Sequence, residues 1–192
     1  TLNLNEKLVE SAITPKTRAI VAVHYAGVAC EMNFLKKLCK ERNLLLIEDA
    51  AQAFGSEYQG QSLGSFGDLS TLSFHETKNV ISGEGGALLI NNENFQERAE
   101  IIREKGTNRA SFQRGEKAKY TWQDLGSSFL PGELIAAFLF AQLEKSDLIK
   151  ASKLKIWNEY FEGFQKLEEL GNLQRPIVPK NCSHNGHLFF LI

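Results

Sequence analysis

Apolar and polar positions alternate along the chain in blocks that change period, and the first block sets the pattern. Ala19 to Tyr25 is an apolar run that Gly27 breaks, which suits a strand buried on both faces of a parallel sheet. From Glu31 to Arg42 the apolar residues Met32, Leu35, Leu38 and Cys39 recur on one helical face. Leu44 to Ile47 is apolar again and closes on Glu48-Asp49. Strand, helix and strand within about thirty residues make a βαβ unit, so the chain is read as an α/β fold with a mostly parallel sheet flanked by helices. Upstream, Glu6 to Ile13 is a short helix ended by Thr14-Pro15.

Downstream, Leu69 to His75 alternates as a strand, with Ser73 and His75 on one face and Leu72 and Phe74 on the other. Ala87 to Ile90 reads as a further strand and Phe95 to Lys105 as a helix. Gly106 to Asp124 is polar without a period and reads as a long functional loop. Glu133 to Glu144 and Asp147 to Leu170 are strong helices. Gly171 to Gly186 is a linker containing Pro176 and Pro179, and the closing run His187 to Ile192 reads as a strand. That run and the opening Thr1 imply a piece of a longer protein, because an unpaired apolar strand needs partners.

Composition narrows the partners. A formal net charge of -1 on 192 residues, with no basic run, points away from nucleic acid and from an anionic membrane surface. The longest apolar stretches, 18–26 and 129–143, are too short or too interrupted to span a bilayer. Cys30, Cys39 and Cys182 are scattered without metal-ligand spacing, which implies reduced thiols and a cytoplasmic protein with no metal site. The sequon Asn181-Cys182-Ser183 is then a chance match.

Three features carry candidate chemistry, and each also has a plain structural reading. Glu48-Asp49-Ala50-Ala51-Gln52 stands at the carboxyl end of a strand, where ligands of open α/β sheets bind, although an acid there also serves as a turn former. Ser73-Phe74-His75-Glu76-Thr77-Lys78-Asn79 ends another strand. Its His75-Glu76 pair begins like a zinc-protease helix, but Asn79 stands where the second ligand would be, and the metal reading fails. Gly83-Glu84-Gly85-Gly86 is not a dinucleotide fingerprint; it is either a plain turn or room for the lysine loop to fold tightly beneath a cofactor.

Together they match one chemistry. A pyridoxal phosphate (PLP) enzyme needs a lysine amine for the aldehyde, an acid for the pyridine nitrogen, and hydroxyl or backbone donors for the phosphate. Lys78, Asp49 and Ser73 supply those groups from strand ends.

The stretch EDAAQAFGSEYQGQSLGSFGDLSTLSFHETKN, followed by GEGGALLINN, closely resembles the sugar-nucleotide aminotransferases of the fold-type I PLP enzymes. The resemblance extends through REKGTNRASFQRGEKAKYTWQDLGSSFLPGELIAAFLFAQLE to the closing NCSHNGHLFFLI. It implies the large PLP-binding domain over 1–145, lacking its N-terminal portion, with 146–192 a linking helix and the start of a small C-terminal domain. It implies that Lys78 is the Schiff-base lysine, Asp49 pairs with the ring nitrogen, Gln52 sits by the phenolic oxygen and Ser73 binds the phosphate. In many relatives an asparagine in the segment matching Gly126 to Phe129 reaches the phosphate in the neighbouring subunit; this chain has Ser128 there, a shorter donor.

The resemblance further implies a homodimer with composite sites, L-glutamate as amino donor and a nucleotide-linked keto-sugar as acceptor. Lys105, Asn108 and Arg109 are candidates for the sugar-nucleotide phosphates, or else part of a solvated charged loop. His24 and His75 fall at family motif positions and are read as structural histidines. Three rivals stand beside this reading, and one of them, a transaminase acting on another keto-sugar or at carbon 3, stays open. A dehydratase relative carries histidine in place of the lysine, which Lys78 argues against. A non-catalytic regulator or assembly partner would not need Asp49, Gln52, Ser73 and Lys78 together.

Overall fold

A computed structural model describes residues 1–192. The βαβ unit forms where the periodicity places it: β1 is Ala19–Val23, α2 Met32–Arg42 and β2 Leu45–Asp49. Helix α1, Glu6–Ala12, precedes it and is capped by the Asn5 side chain, which accepts from the Lys7 N–H. Helix α2 stops at Asn43, whose left-handed backbone (φ 52°) turns its N–H back onto the carbonyls of Cys39 and Lys40. Asparagine tolerates that conformation better than most residues. The apolar face of α2 packs on the sheet, and Met32, Leu35, Leu38 and Cys39 form one core with Ile20, Ala22 and Leu46.

The main sheet has the order β1-β2-β5-β6, with β5 at Leu69–Ser73 and β6 at Gly86–Ile90. β1, β2 and β5 are parallel, whereas β6 runs antiparallel to β5. The connection from Phe74 to Gly85 forms no crossover helix and is closed on itself by backbone hydrogen bonds such as Phe74 N–H to Gly85, so the chain returns antiparallel. β1 differs from expectation in another way. Ile20 and Ala22 are buried, but Val21 and Val23 are 50% and 43% exposed, because α1 and α2 cover only one face of the strand.

A second, three-stranded sheet orders β4 (Gln61–Ser62), β3 (Glu57–Tyr58) and β7 (Cys182–Ser183). The closing strand is therefore Cys182–Ser183, paired antiparallel with Glu57 and Tyr58, and not the run His187 to Ile192. In that run Phe189 spends its ring on the aromatic cluster of Trp157, Tyr160 and Phe164. Only Ile192 exchanges a backbone hydrogen-bond pair, with Gln174 at 2.7 and 3.1 Å.

The remaining helices are α3 (Gln96–Arg103), entered through a single helical turn at Glu93–Phe95, then α4 (Arg109–Gln113), α5 (Glu133–Glu144), α6 (Ser146–Gly163) and α7 (Gln165–Glu169). The polar stretch after Gly106 thus contains a short helix, and a bridge between Thr107 and Trp122 ties its two ends. Helix α5 buries no residue, and its Leu134 is 88% exposed. No helix is long and apolar enough to cross a membrane.

Candidate cofactor site

β2 and β5 are neighbours in parallel, so their carboxyl ends open on the same edge of the sheet. Asp49 stands in register with Thr71, and the ladder runs on as the Ala50 N–H donates to the Thr71 carbonyl at 3.0 Å. Beyond β2 the chain turns sharply, and the Asp49 carboxylate accepts the Ala51 N–H at 3.1 Å. Gln52 follows in that turn. Its side-chain oxygen accepts the N–H of Ala26 at 2.6 Å, holding Ala26 in a left-handed conformation (φ 57°). With the oxygen committed, only the NH2 end of Gln52 is left to meet a ligand.

Ser73 ends β5, two residues past Thr71, and its hydroxyl oxygen accepts the His75 N–H at 3.3 Å. The loop carrying Lys78 is closed at its neck by a ladder. The Phe74 N–H donates to Gly85, that of Glu76 to Gly83, and that of Ser82 back to Phe74. Within the loop the Thr77 N–H donates to His75 Nδ1 and the Lys78 N–H to the His75 carbonyl, so His75 shapes the turn that presents the lysine. The glycine cluster is what allows the neck to close. Gly85 adopts φ +148°, and a side chain on Gly86 would stand 2.7 Å from the Leu72 carbonyl oxygen. Lys78 is half-buried, and no ion pair of the chain uses Lys78 or Asp49.

Behind this edge lies a buried network that residue types alone do not reveal. Strand alternation turns Glu48 to the face opposite Asp49. There its carboxylate accepts His24 Nε2 at 3.0 Å, Gly64 N–H at 2.8 Å, and Phe66 and Gly67 N–H at 2.7 Å each. Burial alone would raise the Glu48 carboxyl, but the His24 ring and the three N–H donors outweigh it and hold the group below its usual range. His24 accepts the Cys30 N–H on Nδ1, so both its ring nitrogens are bonded in the core. Asn79, Asn185 and His187, from the lysine loop and the closing segment, also meet here, joined by hydrogen bonds between side chains and backbone.

Asp49, Gln52, Ser73 and Lys78 thus share one strand edge. The other candidates form a second group. Ser128 is exposed and bridges to Glu104. Arg109 lies 3.8 Å from the buried Glu104 carboxylate, and Lys105 is held by the Ser127 carbonyl through its N–H. The Asn108 side chain is occupied within its own loop, bonding Lys119 and Thr121. No hydrogen bond or ion pair joins this second group to the first.

Set against known proteins, residues 1–192 match the DegT/DnrJ/EryC1/StrS aminotransferase family from end to end. The chain belongs to that family. GDP-perosamine synthase of Caulobacter vibrioides is 33% identical over 193 residues, covering 100% of this chain and 48% of the relative. UDP-4-amino-4,6-dideoxy-N-acetyl-beta-L-altrosamine transaminase of Helicobacter pylori is 34% identical, covering 95% of this chain and 47% of its own length. The crystal structure of S. venezuelae DesV in complex with a ketimine intermediate superposes with a TM-score of 0.85 at 30% identity, covering 98% of this chain and 48% of that one. The chain therefore spans about half the length of the relatives it matches. The family is that of the PLP-dependent sugar aminotransferases, and the α/β fold with its mostly parallel sheet is theirs.

Proposed function

We propose that the full-length protein is a PLP-dependent aminotransferase that moves the amino group of L-glutamate to a nucleotide-linked keto-sugar. One observation supports the reading: an acid, an amide donor, a hydroxyl and a lysine without an ion-pair partner follow the carboxyl ends of two neighbouring parallel strands in a chain of this family. The donor set fits the cofactor. Asp49 would hold the proton on the ring nitrogen, Gln52 would donate its NH2 to the phenolic oxygen, Ser73 would donate to the phosphate, and Lys78 would form the covalent tether. When bound, PLP supplies an aldehyde for amine capture and a protonated ring that draws off electrons from the breaking C–H bond.

The chain's own residues then do the following. Once the glutamate amine displaced it from the cofactor's aldehyde, the freed Lys78 Nζ would be placed to act as the general base that takes the proton from the amino-acid carbon. Asp49 would keep the ring nitrogen protonated throughout. The same steps in reverse deliver the amino group to the keto-sugar, in a ping-pong cycle.

For the acceptor we infer dTDP-4-keto-6-deoxyglucose, giving dTDP-4-amino-4,6-dideoxygalactose in the route to enterobacterial common antigen. The HETKN form of the lysine loop and the EKGTNR loop support it. A second reading, another keto-sugar, is favoured by the GDP- and UDP-linked products in the relatives' names. The protein is further proposed to be a cytoplasmic homodimer in which Ser128, Lys105, Asn108 and Arg109 serve the partner's cofactor and substrate. That no hydrogen bond or ion pair ties that group to Lys78 within one chain is in keeping with this arrangement.

The test is the visible spectrum of the full-length protein with PLP, before and after glutamate. A band that converts to the aminated cofactor and is missing in Lys78→Ala establishes the cofactor, the lysine and the first half-reaction. No band in the wild type would hand the lead to the non-catalytic reading. Product analysis by mass spectrometry and NMR then separates the keto-sugars.

A further inference from the structure

Asn185 is 1% exposed, and both polar atoms of its side chain and its carbonyl are hydrogen-bonded. Its Nδ2 donates to the Gln52 carbonyl at 2.9 Å and to the Phe54 carbonyl at 3.0 Å. Its Oδ1 accepts the His187 N–H at 3.1 Å, and its own carbonyl accepts Asn79 Nδ2 at 2.8 Å. Asn79 is the residue after Lys78. Because its Nδ2 donates to Asn185, its Oδ1 is the acceptor facing His187 Nδ1 at 3.2 Å. The His187 ring therefore carries its proton on Nδ1 and presents a lone pair on Nε2.

The closing segment is fixed from its other side by α6. The Trp157 ring lies 4.4 Å from that of His184, and its Nε1 donates to the Leu188 carbonyl at 2.9 Å. One short segment thus clamps both turns of the strand edge, that of Gln52 and that of Lys78.

We propose that Asn79, Asn185 and His187 form a positioning latch for Lys78, through which the segment docked on α6 sets the lysine loop against the Gln52 turn. The claim rests on the cofactor reading only for its consequence in the reaction; the latch itself is a property of the chain. Burial pushes His187 down to about 4, and the positive charges of Lys78 and Lys153 add to this. A neutral imidazole can sit beside the Lys78 ammonium without repelling it.

The first arm of the test needs no cofactor. NMR titration of the full-length protein should find His187 near 4, and Lys78→Met should raise it measurably. A His187 that titrates unchanged in Lys78→Met overturns the latch. In the second arm, Asn79→Ala and His187→Phe should each shift the pH dependence of the lysine–cofactor band. They should also lower kcat by about tenfold to a hundredfold, the cost of a small misplacement of a reacting group. The glutamate KM should move much less. His187→Gln, which keeps a donor toward Asn79, should recover most of the loss. An unchanged band and kcat in both variants overturns the latch and leaves the cofactor reading standing. A wild type without any band defeats the cofactor reading, while the titration still decides the latch.

Discussion

Gly27→Ala is the sharpest test of how the closing segment is seated. Gly27 has φ +78°, and a Cβ there would overlap Asn185 Oδ1, stand 2.9 Å from its Cγ and 3.1 Å from the Gln52 carbonyl oxygen. The left-handed backbone alone costs alanine about 1–2 kcal/mol. Relieving the overlap means moving Asn185, which is buried and gives two hydrogen bonds to the carbonyls of Gln52 and Phe54. Leaving those groups without partners costs roughly 1–3 kcal/mol more for each lost bond. The sum, about 3–8 kcal/mol, is a large share of the ~5–15 kcal/mol that holds an ordinary domain together.

The assay is urea unfolding of the full-length protein, followed by fluorescence of the buried Trp157, whose ring contacts this segment. With a slope of about 2–3 kcal/mol/M, the midpoint should fall by on the order of 1–4 M. Asn185→Ala removes the obstruction, so the double variant should be less destabilised than the sum of the singles by about 1–2 kcal/mol. A Gly27→Ala cost below about 1 kcal/mol, or strict additivity, would show the overlap to be harmless and the reasoning wrong.

Other outcomes follow from the same network. Glu48→Gln places an NH2 against two donors of the quartet formed by His24, Gly64, Phe66 and Gly67 and should cost about 3–5 kcal/mol, read as a fall in Tm; a neutral result would show that the quartet is not needed. Because the folded Glu48 carboxyl lies below its ordinary 4.5, its contribution is complete above that value and is lost as pH falls through the folded one. His187 acts in a higher window. The unfolded ring takes up a proton near 6.5 and the folded ring only near 4, so stability should drop as pH falls between them, and His187→Gln should flatten that slope in pH-dependent denaturation. Burial raises the Cys30 thiol to about 11, so at pH about 8 it should alkylate on the order of a hundredfold more slowly than a free cysteine; labelling at the free rate, followed by mass spectrometry, would contradict the burial.

The hydrophobic pattern made the first βαβ unit readable because Met32, Leu35, Leu38 and Cys39 sit at helical spacing between two apolar runs. It also placed Asp49 and Ser73 at strand ends, where parallel pairing brings them to one edge. Strand direction was not readable, since an apolar pentamer such as Ala87 to Ile90 looks the same in either sense, and β6 turned out antiparallel. The exposure of Val21 and Val23 depends on what covers the second face of the sheet, which periodicity does not state. Glu48 could have been found: period-two alternation alone sends it away from Asp49 into the core. Asn185 could not, because its partners are reached only through the tertiary fold. The closing apolar run misled for a related reason. Phe189 packs on α6 and Phe190 against Tyr25, which a strand-like composition does not distinguish from joining a ladder.

The reach of Asn185 has a consequence for how the molecule is made. Its bonds to Phe54 and Gln52 span 131 and 133 residues, and β7 closes onto β3 across a similar interval. Contacts so distant along the chain form late, after the loop-closure entropy between them has been met. During synthesis the βαβ unit can collapse as soon as β2 has emerged. The Gln52 turn and the lysine loop, however, must wait for residues translated more than a hundred positions later before their carbonyls and amides are matched. Until then the strand edge exists as a sheet without a fitted rim, and its competence to hold a ligand waits on the arrival of that segment.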